Sequence, residues 1–336
     1  MRRYISLLLV LSAVACLLTP LYASATVVSD NDMLDNESII ELGHYDAVTG
    51  TETFETISLE KLKKENQATK RRLGLSSEYT ISGYSPIGSS GNNSALQIQE
   101  PASPQTIFGS DDQTTPVNVN SYPYSSVLYL YLCFDSNDDG VYDTWYNGSG
   151  FLAGYDVMVT CAHNFYTYVN GEYRWVDQCR IYTRQASPTR GSTYYLPKSW
   201  TYSTIYTDSI DARYDWLVAS LFDPIGSSNG WFAIRNWNLD LAGVTATISG
   251  YPHETPAKRH YQYRTTGSLA SYTYYRMSFN IDAEKGQSGC PVYVSGNQVI
   301  GILTGCGTQA NWAARITENV YNIIERRFLA GEELYG

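Results

Sequence analysis

The 336-residue chain is short of the groups that mark several functional classes. It has six cysteines, four methionines and four histidines, and no two cysteines stand in a Cys-x-x-Cys pair. A cysteine-built zinc site is therefore a poor reading. Positive charge is also scarce, with 23 Lys and Arg against 33 Asp and Glu and a net charge of −10. That balance argues against a nucleic-acid binder, which needs a basic footprint. Only 17% of residues are charged, yet 43% are hydrophobic, so the chain has enough apolar content to bury a sizeable core. Outside the first 25 residues no apolar run is long enough to span a bilayer.

Those first residues have the layout of an export signal. Arg2 and Arg3 precede an apolar stretch over residues 5–19, and Ala23-Ser24-Ala25 supplies a small-residue cleavage site. We expect a signal peptide over 1–25 and a secreted chain. Two other fates stay open, an uncleaved membrane anchor and lipidation at Cys16, which would leave the protein on the cell surface. Residues 26–105 form a second zone with 12 acidic and six basic residues, the six bases all lying between Lys61 and Arg72. It contains no Trp, shows one short helical pattern at Ser58–Lys70, and ends in a Ser-, Gly-, Pro- and Asn-rich stretch from Ile81 to Gln105. It reads either as a solvated extension or as a propeptide and linker.

From residue 106 to 336 the texture changes to short β-branched and aromatic runs. Val127–Leu132, Phe151–Ala153, Val157–Thr160, Trp216–Leu221, Val244–Ile248, Pro291–Val294 and Val299–Leu303 all have strand length. Many short strands separated by turn residues predict an all-β barrel or sandwich. The end differs. Val320, Ile323, Ile324 and Phe328 form a helical stripe after Thr317, a suitable N-cap, with Gly331 as the expected stop, so a C-terminal helix is expected over 317–330.

Three segments carry chemistry when taken together. His163 ends a strand in Val-Met-Val-Thr-Cys-Ala-His-Asn, Asp215 opens the apolar run Asp-Trp-Leu-Val, and Ser288 lies in Gly-Gln-Ser-Gly-Cys-Pro-Val. A serine hydroxyl needs an imidazole to take its proton during attack, and a buried carboxylate sets the imidazole tautomer. Glycine at 286 and 289 lets the backbone present the Gly286 and Ser288 N–H groups to a developing oxyanion. Asp211, four residues earlier, competes with Asp215, but the alternation of Leu217, Ala219 and Leu221 favours Asp215.

This order of motifs resembles the chymotrypsin-like serine proteases, and within them the secreted bacterial glutamyl endopeptidases. Thr-Ile-Phe-Gly-Ser-Asp-Asp from Thr106 is similar to that branch's mature N-terminus. Gly-Ser-Gly-Phe-Leu from Gly148, Gly-Tyr-Pro from Gly250 and Val-Ile-Gly-Ile from Val299 are similar to its other motifs. The resemblance spans about residues 106–328. It implies a double β-barrel preceded by a signal peptide and a propeptide, with His163 as base, Asp215 as orienter, Ser288 as nucleophile, and Gly286 and Ser288 as the oxyanion hole. It also implies endopeptidase activity on protein or peptide substrates, and we expect a monomer with no cofactor required for catalysis.

The resemblance weakens at the specificity pocket. The positions that carry polar recognition of glutamate in the family are here Ala283 and Leu303. Asp282, six residues before Ser288, offers a different reading, since an aspartate there selects Arg or Lys in the trypsin-like relatives. Glu/Asp preference, Arg/Lys preference and a catalytically silent binding module therefore all stay open, with His253 or a new α-amino group near Thr106 as substitute pocket cations. Gln287 in place of an aspartate before Ser288 rules out a trypsin-type salt bridge to a new N-terminus at that position.

Asp135, Asn137, Asp139 and Asp143, with Gly140, fit the first half of a calcium loop, although position 12 is Tyr146. A structural calcium ion and a tight Asp-Asp-Gly hairpin turn are the two readings. Export permits disulfides, and Cys161–Cys179 and Cys290–Cys306 are the expected pairs because each would brace a loop beside a triad residue.

Overall fold

The structure, a computed structural model, describes residues 39–86, 111–113, 115–235, 241, 243–306 and 310–336. The signal segment, Cys16 and the Gln105–Thr106 boundary fall outside these residues. The described part is mostly β, with two six-stranded barrels and a C-terminal helix.

The zone read as a solvated extension or propeptide begins with an antiparallel hairpin, β1 (Ile39–Asp46) and β2 (Thr51–Ser58), followed by α1 (Leu59–Arg72). The helix was visible in the sequence because Ser58 caps it, its side chain accepting from the Lys61 N–H. The hairpin was not, because its strands bury only isolated residues. Ile40, Leu42, Ile57 and Leu62 nevertheless sit in the main apolar core, so Ile39–Pro86 is no solvated extension.

The first barrel runs in the order β9 (Pro197–Ser203), β10 (Leu217–Leu221), β5 (Val157–Thr160), β4 (Thr144–Leu152), β3 (Val127–Phe134) and β8 (Gln178–Thr183). Paired hydrogen bonds of 2.9 Å between Ile181 and Tyr195 bring β8 back to the approach of β9. A separate hairpin, β6 (Tyr166–Val169) with β7 (Glu172–Trp175), and the short helix α2 (Thr204–Ser209) lie between these strands in sequence.

After α3 (Gly226–Asn229) and β11 (Ala233–Ile234), the second barrel comprises β12 (Thr245–Gly250), β13 (Tyr263–Tyr272), β14 (Arg276–Phe279), β15 (Pro291–Val294), β16 (Gln298–Cys306) and β17 (Asn311–Arg315). β16 pairs with both β15 and β17, which closes the ring. Its core is a separate apolar cluster around Ile248, Phe279, Val292 and Leu303.

The final helix, α4 (Glu318–Tyr335), begins as expected, with the Thr317 hydroxyl accepting from the Val320 N–H at 3.3 Å. It runs past Gly331, the expected stop. A Cβ at 331 would lie 2.8 Å from Asp156 Oδ1, so this glycine answers a close approach of the helix to the first barrel and does not end it.

Candidate active site

The three expected residues come from separate elements that the barrels bring together. His163 lies in the 3-10 turn Ala162–Asn164 directly after β5, and Asp215 follows the turn Ala212–Tyr214 directly before β10. β5 and β10 are neighbours, pairing Leu217 with Thr160, so the His and Asp turns emerge side by side. Asp215 is nearly buried and uses both carboxylate oxygens on one residue. Oδ1 accepts the His163 backbone N–H at 2.9 Å, and Oδ2 lies 2.7 Å from His163 Nδ1. This holds the proton on Nδ1 and leaves Nε2 as an acceptor. Asp211 instead caps its own turn and pairs with Arg213, which settles the choice between the two aspartates.

Burial works to lower the His163 pKa, but the Asp215 carboxylate, with smaller contributions from Cys161, outweighs it and holds the group well above its ordinary 6.5. Nε2 faces Cys161 Sγ at 3.5 Å. Among the described residues no hydrogen bond joins Nε2 to Ser288 Oγ. Hydrogen bonds of this kind are often long in unliganded enzymes and tighten when substrate arrives. Cys161 was expected in a disulfide with Cys179. Both are thiols here, and burial raises the pKa of each. Cys161 is turned toward the imidazole and Cys179 sits on β8, opposite Leu132. The expected Cys290–Cys306 bond involves a side chain, Cys306, that lies outside the described residues.

Ser288 sits on a loop from the second barrel that is tied to the first by three hydrogen bonds, and a fourth joins the first barrel to the neighbouring Tyr251. The Ser149 N–H and Asn164 Nδ2 donate to the Ser288 carbonyl at 2.8 and 2.9 Å. Ser149 Oγ donates to the Gly286 carbonyl at 2.9 Å and accepts from the Tyr251 N–H at 2.9 Å. Asn164 is the residue after His163, so the same turn that carries the imidazole also holds the serine backbone. Sequence reasoning missed Ser149 and Asn164 as positioning groups, although both lie inside the motifs it quoted. Gly286 and Gly289 have φ of +98° and +87°, and a Cβ on Gly286 would lie 2.7 Å from the Tyr251 carbonyl oxygen. Both features demand glycine. The Gly286 and Ser288 N–H groups have no hydrogen-bond partner among the described residues, as an oxyanion hole requires.

Behind this loop lies a charged cluster that the sequence did not reveal. The buried Lys258 ammonium contacts Asp111 at 2.5 Å and also the Glu284 carboxylate. Burial opposes its charge, but these two carboxylates win and raise its pKa. The Gln287 side chain accepts from Gln113 Nε2 at 2.9 Å and from the Glu284 N–H at 2.8 Å. Asp282 is buried and its carboxylate accepts the Asp112 N–H at 3.0 Å. Ala283 and Leu303 are buried in the second-barrel core. His253 packs against Gly286, donates its backbone N–H to the Lys285 carbonyl at 2.7 Å and meets Asn147 Nδ2 through Nε2 at 3.1 Å. Burial first, and then Arg259, His260 and Arg190, lower its pKa.

The residues of the calcium-loop reading lie between β3 and β4 and bond one another's backbone. Asp135 accepts the Asp139 and Gly140 N–H groups, Asn137 also accepts from Asp139, Asp139 accepts the Val141 N–H, and Asp143 binds Ser136. Their oxygens cap the turn between β3 and β4, an arrangement that hairpin turns and calcium loops share.

No protein-family model matches the chain. It is 26% identical over 244 residues to a glutamyl endopeptidase of Bacillus licheniformis, covering 66% of this chain and 69% of that protein. It is 25% identical over 289 residues to a Bacillus subtilis protein named extracellular metalloprotease, covering 80% of this chain and 86% of that one. Among solved structures, a Glu endopeptidase in complex with MPD superposes with a TM-score of 0.55 at 22% identity, covering 65% of this chain and 98% of the other. The protease Anisep from Arthrobacter nicotinovorans gives 0.50 at 14% identity, covering 64% and 98%. The chain has the chymotrypsin-like double-barrel fold and is a serine peptidase similar in sequence to a glutamyl endopeptidase.

The second relative's name implies a metal, and the described residues hold one group of side chains to test against it. Ligand atoms of Cys161, His163 and Asp215 lie within 4.8 Å of one another. They do not fit a metal ion. His163 Nδ1 and Asp215 Oδ2 are spent on each other, and burial holds the Cys161 thiol in its protonated form.

Proposed function

We propose that this serine peptidase is a secreted endopeptidase that works through an acyl-enzyme on Ser288. The observation that carries the reading is the paired engagement of His163 by Asp215, which leaves Nε2 as the proton acceptor on a turn whose next residue, Asn164, binds the Ser288 carbonyl. His163 Nε2 takes the Ser288 hydroxyl proton as Oγ attacks the scissile carbonyl. The Gly286 and Ser288 N–H groups receive the oxyanion, and the proton then passes from Nε2 to the leaving amine. Water, deprotonated by the same nitrogen, releases the acyl group. Residues 1–25 act as the signal peptide and 26–105 as a propeptide, cut near Thr106. The extracellular setting is supported by the printed name of the Bacillus subtilis relative, and the enzyme acts as a monomer.

For the residue before the scissile bond we propose a Glu/Asp preference. The relation to a glutamyl endopeptidase supports it. A fluorophosphonate probe should label Ser288, and Ser288→Ala should abolish labelling and casein cleavage in a folded protein. Wild-type protein that ignores the probe after processing would be a silent binding module. Digestion of a peptide library tests the pocket separately, and cleavage after Arg or Lys would overturn the acidic preference.

A further inference from the structure

The contacts of Ile39–Pro86 go deeper than a disposable leader needs. We propose that this segment stays bound as a separate chain once the connection to the peptidase body is cut, so that the mature enzyme is a two-chain complex. The inference rests on the proposed processing near Thr106.

Three kinds of contact support it. The first is strand addition. β1 pairs antiparallel with β9 from Leu42 opposite Ser203 to Asp46 opposite Ser199, and without it that edge of β9 would carry unpaired backbone groups. A second backbone pairing joins Tyr84 to Trp231, with hydrogen bonds of 2.9 and 3.0 Å, and the two rings stack at 4.5 Å. The second is shared core. Leu42, Ile57, Leu62 and Ile81 are at most 2% exposed and belong to the same apolar cluster as the first barrel and α4. The third is charge. Lys70 on α1 pairs with Glu325 on α4 at 2.8 Å, both side chains 5% exposed, so the joint between segment and body encloses a desolvated ion pair. Around this buried pair, Glu55 meets Arg326 at 2.9 Å and Arg72 meets Glu333 at 2.9 Å.

Retention is compatible with activity. Among the described residues, no hydrogen bond runs from Ile39–Pro86 to His163, Asp215, Gly286 or Ser288. The segment occupies the β9 edge and α4, so its release is not needed to free the groups of the proposed mechanism.

The test places a recognition sequence for a site-specific protease between residues 95 and 100 of the full chain, cuts it, and passes the product over a sizing column at about 1 µM. The two fragments should co-elute with peptide hydrolysis within about twofold of uncut protein. Separation of the fragments, whether the body stays folded or precipitates, overturns the proposal. Glu55→Arg, which sets like charge against Arg326, should weaken association of the cut fragments at least about tenfold. Unchanged association would show that the docking surface is not the one described, and would also overturn it. Mass spectrometry of the naturally secreted protein decides the processing reading independently. A chain left uncut between 39 and 111 would sink that reading without touching the engineered result.

Discussion

Replacing Asp215 by Asn tests the proposed mechanism at its centre. Asparagine keeps the size of the side chain and one carbonyl oxygen, which can still accept the His163 N–H now held at 2.9 Å. At the second position it sets either an amide donor or a neutral acceptor against His163 Nδ1, where the carboxylate now sits at 2.7 Å. With the amide donating to Nδ1, the ring proton moves to Nε2, and that nitrogen can no longer take the serine proton. The same exchange in a triad of this kind costs about 10⁴-fold in kcat, or about 5 kcal/mol of barrier. The pH profile should move as well. The carboxylate raises the His163 pKa well above 6.5 while burial pulls the other way. Because the neutral imidazole is the base, wild-type kcat/KM should fall on the acid side through a pKa above 6.5, and in Asp215→Asn that limb should shift to lower pH. Initial rates on a chromogenic peptide over about pH 5 to 10 measure both effects. An Asp215→Asn enzyme that keeps more than about a tenth of wild-type kcat, or an acid limb that stays in place, would refute the assigned roles.

Asp211→Asn should leave kcat within about twofold, because Asp211 touches Arg213 and not the imidazole, and the same peptide assay checks it. Lys70→Met should destabilise the protein by about 3–5 kcal/mol in urea unfolding, by stranding Glu325, and Lys70→Met with Glu325→Leu should recover most of that loss. His44 bonds Thr201 and Glu55 and lies near Arg326 and Arg327. Burial, and then the two arginines, lower its pKa against the pull of Glu55, so the unfolded chain takes up the proton first. Its contribution is intact above about pH 6.5 and is lost as pH falls below that value. His44→Gln should flatten the acid-side slope of the urea midpoint, and an unchanged slope would show that another group carries it.

Much of the architecture was legible from local pattern. β5 and β15 have the bounds their apolar runs imply, and Thr317 caps α4 as its spacing suggests, because each depends on residues close in sequence. The hairpin of β1 and β2 was not legible, since its strands are completed by β9, about 150 residues away, and not by their own periodicity. The end of α4 was misread for a similar reason. Gly331 answers to Asp156 across the fold, and helix-stop rules do not see such a neighbour.

The site divides along the same line. Sequence alone determined which residue types were on offer: an imidazole, a carboxylate and a hydroxyl in motifs whose glycines allow an exposed backbone, because that chemistry needs those groups in any fold. Tertiary structure decided what each is free to do. Asp215 was selected over Asp211 by β5 and β10 lying side by side, and Cys161 was turned from an expected disulfide into a neighbour of the imidazole. Asp282 was given the amide of a distant segment, Asp112, as a partner. Commitments of this kind arise between residues far apart in the chain, where distance and burial set the energies and local pattern carries no record of them.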